Sequence, residues 1–412
     1  MSAESEEGPL TGRRVLVGVT GGIAAYKAAD LVSRLVQLGA TVDVAMTPAA
    51  TSFVTAETFA ALSQRPVHDE VLEQWGPGST GHISLARGAD VYLVAPATAN
   101  SIAKLAAGIA DDMVGAAALA ATCPLLIAPT MEHHMLHHPA TQANLLTLAD
   151  RGATILGPVS GHLASGEVGD GRLAPLETLV RAVRAAVGRE GQLAGQRILI
   201  TAGGTREPLD PVCYLGNRSS GRMGKALAEA AIDLGGSVRL VTTVAAHASL
   251  HGVDVTLVET AEEMAEAVRA QVSTASALIM CAAVADYRPS DPGTSKIKRG
   301  RTGPTLELSL VENPDILRTV DSGGALRVGF AAETDDLLAN ARAKLEAKRL
   351  DLMVANDATT TIGSDDIVAS LLSPDGSLES PDGSLETFPP SSKVRFAGRL
   401  MVRVAELLAA RA

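Results

Sequence analysis

Residues 13–30 read RRVLVGVTGGIAAYKAAD, and residues 197–210 read RILITAGGTREPLD. In both stretches a run of β-branched and aliphatic residues meets a glycine pair. Continuous apolar runs are typical of strands in a parallel sheet that is covered on both faces. Glycine at the strand end lets the backbone approach a phosphate ahead of a following helix. The chain therefore opens an α/β unit twice. Neither stretch is GxGxxG or a Walker loop, so we expect two unlike phosphate-type sites.

The composition excludes several functional classes. The chain has 412 residues, a length that suits two or three domains. Of these residues 46% are hydrophobic, which is enough for each half to bury a core. Its net charge of −11 argues against a nucleic-acid-binding surface. No uncharged apolar run reaches about 18 residues, the length of a membrane-spanning helix, and residues 1–11 lack the apolar core of a signal peptide. Cys123, Cys213 and Cys281 have no CxxC spacing, which favours a cytoplasmic protein without disulfides.

Strands alternate with helices in both halves, which predicts two doubly wound parallel sheets. In the first half we predict strands at 15–20, 41–46, 91–95 and 125–128, and helices at 24–37, 139–151 and 176–187. A polar linker is predicted at 188–195. In the second half we predict strands at 198–201, 237–241, 277–281, 328–331 and 351–355, and helices at 222–234, 261–272 and 335–348. PDGSLE occurs at 374–379 and again at 381–386, and its Asp-Gly pairs favour an enlarged surface hairpin.

Four turns of the first half are candidates for a ligand site, since ligands bind at the carboxyl ends of strands in open α/β sheets. They are Gly21-Gly22-Ile23, Thr47-Pro48, residues 96–100 (PATAN) and Pro129-Thr130-Met131. Their small residues, hydroxyls and amide suit a phosphate and a flat polar ring; the alternative is that they are ordinary connecting turns. His82, in HISLA before a short helix, is a candidate proton donor or acceptor. Its position alone does not distinguish this role from that of an N-terminal turn residue.

Residues 132–138 read EHHMLHH, which suggests a metal site. His133 and His137 are spaced i, i+4, as helical zinc ligands are. However, HExxH is absent, a proline follows at once, and the sequence names no third ligand, so a metal site is the weaker interpretation. Residues 161–173, GHLASGEVGDGRL, are rich in glycine with few apolar anchors. They form either a mobile lid over a site or a plain surface loop.

A family resemblance rests on five segments of the first half. GGIAAYK, HISLA, PATAN, a PxMxxxM segment and a glycine-rich flap ending in GRL, in this order, resemble the flavin-dependent cysteine decarboxylases. The nearest likeness is to the first half of the bifunctional coenzyme A biosynthesis proteins, and it covers residues 13 to about 187. It implies a flavodoxin-like domain, bound FMN and oxidative decarboxylation of 4′-phosphopantothenoyl-cysteine. It makes His82 the catalytic histidine. The flavin-contacting turns match Gly21, Gly22, Ile23, Thr47, Thr98 and Asn100.

Two positions depart from this family. Glu132, in the substrate-contacting segment that also contains Met135, stands where the family commonly has Asn. Ser165 stands where it commonly has a flap cysteine that protonates the reduced intermediate. Serine is a far weaker acid than cysteine, so replacement alone should slow this step. Either another group donates the proton or this half is impaired. We expect it to remain active, because His82 and the flavin turns are retained.

The second half contains a candidate phosphate cradle. Residues 216–225 read GNRSSGRMGK, in which Ser219, Ser220 and Gly221 offer hydroxyls and backbone N–H groups where a helix is predicted to start. The alternative is a Ser/Gly helix cap. The segment is not GK[ST], because alanine follows the lysine. Residues 296–299, KIKR, form a basic run that alone indicates only a solvated surface. Lysines converging on a triphosphate would instead stabilise the charge of nucleotidyl transfer.

A second resemblance covers residues 196–358. TAGGTREPLDPV, GNRSSGRMG, AAVADYRP, KIKR, NPDIL and GFAAET, in this order, resemble phosphopantothenoylcysteine synthetase, the second half of the same bifunctional proteins. The resemblance implies a Rossmann-like, CTP-dependent ligase. It activates 4′-phosphopantothenate as an acyl-cytidylate that cysteine attacks, with Mg²⁺ bridging the phosphates. Asn217 is then expected to contact the acyl-cytidylate, and Asp286 and Lys296 to hold CTP, with Lys296 also serving the second half-reaction. Further CTP-contacting positions match Pro314, Asp315, Ile316, Phe330, Lys344 and Lys348.

The leading hypothesis is a bifunctional enzyme that makes 4′-phosphopantetheine from phosphopantothenate, cysteine and CTP. Its FMN-dependent decarboxylase domain would span residues 1–190 and its CTP-dependent ligase domain residues 191–412. One alternative keeps only the ligase, with a degraded flavin half as an oligomerisation scaffold. Another makes the His-rich segment a metal-binding module. The resemblance also implies trimers of the flavin half, with FMN near a subunit contact, and dimers of the ligase half. Together these favour a closed homo-oligomer, a dodecamer.

Overall fold

The structure is a computed structural model of the chain. It describes residues 8–71, 81–164, 166–298, 305–333, 337–357, 361, 363–374, 378–379 and 391–411. The polypeptide divides between Val187 and Gly188 into two compact units. Among the described residues, no helix is both long and apolar enough to cross a membrane.

The first unit is built on a six-stranded parallel sheet. From one edge to the other its strands are Val67–His68, Thr41–Met46, Arg14–Val19, Val91–Ala97, Leu125–Pro129 and Thr154–Ile155. Numbered along the chain, this is the order 3-2-1-4-5-6. The helices are Ala25–Gln37, Ala56–Ser63, Gly81–Gly88, Ala99–Ala107, Met113–Ala120, His133–His137, Pro139–Asp150 and Leu176–Gly188. Val159–His162 and Val168–Arg172 pair as an antiparallel ribbon, called the flap ribbon below.

The first strand shows why its sequence is continuously apolar. Val15, Val17 and Val19 pack into one buried cluster, together with Leu31 of the helix that follows. Leu16 packs into a second buried cluster. Successive side chains of a strand point to opposite faces of a sheet, so both faces of this strand are covered and neither tolerates polar residues.

The second unit repeats this plan with a larger sheet. Its strands in sheet order are Val253–Leu257, Ser237–Thr242, Arg197–Ala202, Ala277–Met280, Leu326–Glu333, Leu352–Asp357, Ala369–Leu372 and Leu378–Glu379. The first six are parallel, and each of the last two pairs antiparallel with the strand before it in this order. The α-helices are Arg222–Asp233, Ala261–Val272, Ile316–Thr319, Leu337–Ala347 and Lys393–Ala409. Short antiparallel ribbons pair Arg206–Pro208 with Tyr214–Gly216, Tyr287–Pro289 with Leu310–Glu312, and Asp366–Ile367 with Ser391–Ser392.

The predicted doubly wound α/β architecture is confirmed in both halves. The six parallel strands of the second unit also follow the order 3-2-1-4-5-6. This is the Rossmann order, so the first unit shares the doubly wound architecture of a flavodoxin but not its 2-1-3-4-5 strand order. In each unit the order reverses between the first and fourth strands, and ligands of such folds bind at this switch point.

Every predicted strand and helix is present, with ends within two residues of the prediction. The stretch 188–195, predicted as a polar linker, is partly packed. Leu193 is fully buried, and its backbone N–H donates to the carbonyl of Leu234, so this stretch packs onto the second unit. The second copy of PDGSLE lies outside the described residues, as does most of the first.

Two candidate active sites

A cavity of about 940 Å³ lies at the carboxyl end of the first sheet. Its wall is made by the turns that follow the first, second, fourth and fifth strands, and by part of the flap ribbon. All the residues predicted to contact flavin line it, and so do two predicted substrate residues: Gly21, Gly22, Ile23, Thr47, Thr98, Asn100, Glu132 and Met135. The structure therefore brings together residues spread over more than 100 positions of sequence.

Three buried polar atoms of this wall have no hydrogen-bond partner among the described residues. They are the hydroxyls of Thr47 and Thr130 and Oε1 of Glu132. An unpaired buried polar group costs about 1–3 kcal/mol, so proteins usually pair such groups with a ligand or an ordered water. Three of them at one cavity indicate that its ligand is polar.

The Gly21 turn closely approaches the turn after the second strand. A Cβ on Gly21 would lie 2.4 Å from Cβ and 2.7 Å from the carbonyl carbon of Ala49. The helix Ala25–Gln37 begins directly after this turn, and no side chain caps its N-terminus. Because the N-terminus of a helix attracts anions, this corner of the cavity suits a phosphate group.

Glu132 caps the short helix His133–His137. Its Oε2 accepts hydrogen bonds from the backbone N–H groups of His134, at 2.8 Å, and Met135, at 3.2 Å. These bonds, chiefly the one from His134, hold the pKa of Glu132 below its usual range. The side chain is therefore an ionised, acceptor-only group at neutral pH. Glutamate in place of the expected Asn keeps the cap but removes an amide donor from the substrate wall.

The structure describes one of the two predicted catalytic residues of this half. His82 is half-buried in the helix Gly81–Gly88 and is not among the described residues that line the cavity. Its Nδ1 is buried and has no hydrogen-bond partner in the described part of the chain. Ser165 lies outside the described residues. The ribbon strands before and after it do line the cavity, through His162 and Arg172.

The second candidate site occupies the corresponding turn of the second sheet. Gly203 and Gly204 follow its first strand, and Gly204 forms a parallel bridge with Ala283. The side-chain amide of Asn217 donates to the carbonyls of Ala283 and the next residue, at 3.3 Å each. A Cβ on Gly204 would lie 2.8 Å from the Asn217 carbonyl oxygen. The TAGG, GNRSSG and AAVADY segments therefore converge here.

The predicted phosphate cradle lies at the start of the helix Arg222–Asp233. Gly221 is buried, adopts a left-handed conformation with φ of +74°, and directly precedes the helix. No side chain caps this N-terminus, so neither Ser219 nor Ser220 plays the alternative role of helix cap. The N-terminus of a twelve-residue helix is left open to an anion.

The NPDI segment is attached to the end of AAVADY. The backbone N–H of Asn313 donates to the carbonyl of Asp286, and its side-chain amide donates to the carbonyl of Ala285, both at 2.8 Å. The Asp286 side chain is exposed. These two bonds place the predicted CTP-binding carboxylate beside the predicted CTP-binding segment.

The remaining predicted CTP contacts differ in exposure. Asp315 caps the helix Ile316–Thr319 and pairs with the ammonium of Lys348 at 3.0 Å. Lys344 is exposed, and Phe330 and Pro314 are half-buried. Ile316 is buried in the apolar core of the unit, so its side chain does not face a ligand. The motif match at Ile316 therefore does not make its side chain a CTP contact.

Asp210 anchors the loop that carries Lys296. Its Oδ2 accepts a hydrogen bond from the backbone N–H of Ile297 at 2.9 Å, and its Oδ1 accepts from Val212 at 2.7 Å and Cys213 at 2.8 Å. These bonds, first that from Ile297, together with the nearby Lys296 ammonium, hold the pKa of Asp210 below its usual range. Lys296 itself is exposed. Asp210 is therefore a positioning residue for the predicted catalytic lysine.

We expect Asp210→Asn to lower the ligase kcat/KM by about 100-fold, because a displacement of about 1 Å at a catalytic group can cost that much. The amide that replaces Oδ2 would face the Ile297 N–H as a second donor. The wild-type anchor depends on a carboxylate whose pKa is lowered. It is therefore present at neutral pH, and is lost only as the pH falls below the usual range of an aspartic acid. Steady-state ligase kinetics check the effect, and Asp291→Asn, at an exposed position, is the control. Unchanged kinetics in Asp210→Asn would remove the anchoring role.

Comparison with known proteins covers both units. The family model described as "Flavoprotein" matches residues 3–188, and that of the DNA/pantothenate metabolism flavoprotein C-terminal domain matches residues 193–408. A coenzyme A biosynthesis bifunctional protein of Vibrio vulnificus strain YJ016 is 44% identical over 373 residues, covering 89% of this chain and 93% of that protein. Its counterpart in Escherichia coli strain K12 is 44% identical over 374 residues, covering 89% and 92%. The chain belongs to this family.

Membership in the coenzyme A biosynthesis bifunctional proteins confirms the predicted family and its enzymatic nature. A further relative from Mycobacterium bovis is 44% identical over 361 residues, covering 84% of this chain and 86% of that protein. In all three comparisons the similarity extends across both units, so the flavoprotein half and the ligase-type half occur here in the order that the motifs predicted.

Sequence analysis did not single out two residues that the structure places at the candidate sites. Thr130 was identified only as part of a turn, because its buried unpaired hydroxyl is visible only in the structure. Asp210 had a readable signal, since Asp before Pro favours a turn in which the side chain accepts from the backbone two residues on. That bond forms with Val212. The bond to Ile297 spans 87 residues and has no local signal.

Proposed function

We propose that the chain catalyses two consecutive steps in the cytoplasm. The second unit ligates cysteine to 4′-phosphopantothenate at the expense of CTP, and the first unit decarboxylates the product to 4′-phosphopantetheine. The observation that carries the proposal is the pair of unlike sites at the switch points of two sheets. One is a cavity with unpaired polar atoms, and the other combines an uncapped helix N-terminus with the exposed Asp286 and Lys296 of the same unit.

FMN fits the first site on two observations. The unpaired hydroxyls of Thr47 and Thr130 offer hydrogen bonds to a polar ring. The Gly21 turn packs against Ala49 without a side chain, and the helix that follows it has no side-chain cap. Its N-terminus can therefore receive a phosphate. When bound, FMN supplies the two-electron oxidation and re-reduction that this decarboxylation requires. Thr98 orders its own turn, because its side chain accepts from the Ser101 N–H at 3.3 Å.

The second site supports CTP chemistry through its charges and its free backbone donors. In the proposal, Lys296 and the N-terminus at Gly221 stabilise the triphosphate while the substrate carboxylate attacks the α-phosphorus, and pyrophosphate leaves. Asp286 and Lys296 hold the nucleotide, and Asn217 contacts the acyl-cytidylate. The amine of cysteine then forms the amide, and CMP leaves. Mg²⁺ accompanies the triphosphate, and no protein ligand is assigned to it.

A single incubation tests both steps. Purified enzyme with phosphopantothenate, cysteine, CTP and Mg²⁺ is expected to give two mass shifts in sequence, first the cysteine adduct and then its decarboxylated form. Replacing CTP by ATP measures nucleotide preference. Accumulation of the adduct without its decarboxylated form would favour the alternative in which the flavin half is a scaffold, the alternative motivated by Ser165.

His162 is our candidate for the proton donor in place of the missing flap cysteine. It is the only imidazole among the described residues that line the cavity, and it precedes Ser165 by three positions. An imidazole donates and accepts protons near neutral pH, and a positioned general acid contributes about 100-fold or more to the rate.

We expect His162→Gln to reduce decarboxylation by about 100-fold and to leave the ligase rate unchanged. Ser165→Cys is expected to raise decarboxylation by less than about tenfold if a donor is already present. Carbon dioxide release and flavin absorbance are measured for both variants. Full activity of His162→Gln would exclude His162 as the donor, and a large gain in Ser165→Cys would identify position 165 as the place of the missing acid.

The oligomeric state belongs to the same proposal. We propose trimers of the first unit, dimers of the second, and a dodecamer overall. His82 is not among the described residues that line the cavity of its own chain, which supports a flavin site completed at a subunit contact. Light scattering that gives a monomer would refute this assembly.

A further inference from the structure

A cluster of metal-ligating side chains lies beside the cavity of the first unit. One nitrogen from each of the His133 and His137 imidazoles and one carboxylate oxygen of Asp170 lie within 4.8 Å of one another. The two imidazole centroids are 4.4 Å apart. Nε2 of His137 is 3.5 Å from Oδ2 of Asp170. The sequence analysis found the i, i+4 histidine pair but no third ligand. The flap ribbon supplies it, 33 positions after His137.

Neighbouring contacts hold the three groups in place. His133 and His137 lie on one short helix, which Glu132 caps through two backbone N–H groups. Nδ1 of His133 accepts a hydrogen bond from the backbone N–H of Asp170 at 3.2 Å. The Ser160 hydroxyl donates to the other carboxylate oxygen of Asp170. The ligand on the flap ribbon is therefore oriented from the opposite strand of the ribbon.

We propose that His133, His137 and Asp170 form a site for a divalent transition metal, with Zn²⁺ as the best-fitting ion. Zinc–nitrogen and zinc–oxygen bonds of about 2.0–2.2 Å place the ligand atoms of a tetrahedron about 3.3–3.6 Å apart. The separation of 3.5 Å between His137 and Asp170 already matches this edge. Two imidazoles and one carboxylate suit zinc better than Ca²⁺ or Mg²⁺, which prefer oxygen ligands. The fourth position remains for water or for another ligand.

A second group of side chains nearby is the weaker candidate. Glu132, His134 and Glu167 also bring their ligand atoms within 4.8 Å of one another. This group has only one imidazole. One carboxylate oxygen of Glu132 already accepts two backbone hydrogen bonds, and His134 and Glu167 are exposed, whereas His133 and Asp170 are half-buried. His134 therefore provides a matched control for His137 on the same helix.

The site would join two parts of the cavity rim. Its histidines lie on the helix that Glu132 caps and that contains Met135, and both of these residues line the cavity. Asp170 lies on the ribbon strand whose Gly171 and Arg172 also line the cavity. A bound ion would tether the flap ribbon to this helix. This effect goes beyond the proposed decarboxylation, which requires no metal.

The test is zinc titration of the full chain, purified without a histidine tag and with its flavin retained. Isothermal titration calorimetry and equilibrium dialysis are expected to give one zinc per chain. We expect His137→Ala and Asp170→Asn each to weaken binding by at least tenfold, and His134→Ala to leave it unchanged. Flavin absorbance and circular dichroism confirm that each variant is folded. No zinc binding by the wild-type chain, or loss of binding in His134→Ala alone, would overturn the assignment.

Amide hydrogen exchange provides a second readout, independent of the enzymatic activities. Saturating zinc is expected to slow exchange in the strand Val168–Arg172 of the wild-type chain and to have no such effect in Asp170→Asn. Equal exchange with and without zinc in the wild-type chain would show that the ion does not tether the ribbon.

Discussion

Replacing Gly21 by alanine is expected to leave the chain without bound flavin and to lower decarboxylation by at least about 100-fold, while the ligase rate is retained. The added Cβ would lie 2.4 Å from Cβ and 2.7 Å from the carbonyl carbon of Ala49. A backbone atom cannot rotate away as a side chain can, so one of the two turns must move. Displacement of a binding group by about 1 Å can cost about 100-fold in rate, and the phosphate corner of the cavity lies at this turn.

Flavin stoichiometry from absorbance, and carbon dioxide release, measure the effect of Gly21→Ala. The ligase rate of the same protein is an internal control, because that site lies in the other unit. Gly152→Ala is the matched variant in the first unit. Its φ of +92° makes alanine unfavourable there, but a Cβ would meet nothing within 4 Å. If Gly21→Ala retained one flavin per chain, the Gly21 turn would not be the phosphate contact.

The central strands of both sheets were predictable because both of their faces are covered, whereas the edge strands Val67–His68, Thr154–Ile155 and Val253–Leu257 were not predicted. In the strand Arg14–Val19, alternate residues enter two different buried clusters, so the sequence is apolar without alternation, and the glycine pair marks the end of the run. By contrast, no helix was predicted at Met113–Ala120. Its sequence, MVGAAALA, is apolar all round, and such a segment has none of the periodicity by which an amphipathic helix is recognised.

The turns of the first site were also predictable, because parallel strands bring their carboxyl ends to one edge. What sequence could not supply were the pairings between distant positions. The bond between Asp210 and Ile297 and the approach of Asp170 to His137 depend on how loops return to the sheet. The placement of His82 outside the cavity wall of its own chain was equally unpredictable, since HISLA shows only that a histidine precedes an apolar helix face.

Solvent exposure also distinguishes the predicted CTP-contacting residues of the second unit from one another. Ile316 and Lys344 were named on the same motif evidence. Ile316 is buried in the core, whereas Lys344 is exposed. A motif match establishes which positions resemble a site, but packing determines whether a side chain at that position can reach the ligand.

Gly221→Ala is expected to lower the ligase kcat/KM for CTP by about 100-fold and to leave flavin binding unchanged. With φ of +74°, Gly221 adopts a conformation that costs an alanine about 1–2 kcal/mol. Its new Cβ would also lie 2.8 Å from Cγ2 of Val244 and 2.9 Å from Cε1 of His247. His247 is buried and bonded to the Thr242 hydroxyl at 2.9 Å, so it has little freedom to move aside. The helix N-terminus must therefore shift away from the position that we assign to the triphosphate.

Gly195→Ala measures the cost of a left-handed backbone conformation in the absence of a steric clash. Its φ of +77° is nearly the same, yet a Cβ there would meet nothing within 4 Å. We therefore expect Gly195→Ala to lose a similar conformational free energy while keeping its ligase kinetics. CTP titration in steady-state assays, with thermal unfolding of both variants, measures the two quantities independently. Equal ligase activity in Gly221→Ala and Gly195→Ala would mean that the start of the helix Arg222–Asp233 does not bind the phosphates. The CTP site would then have to lie on the Lys296 loop and the NPDI segment alone.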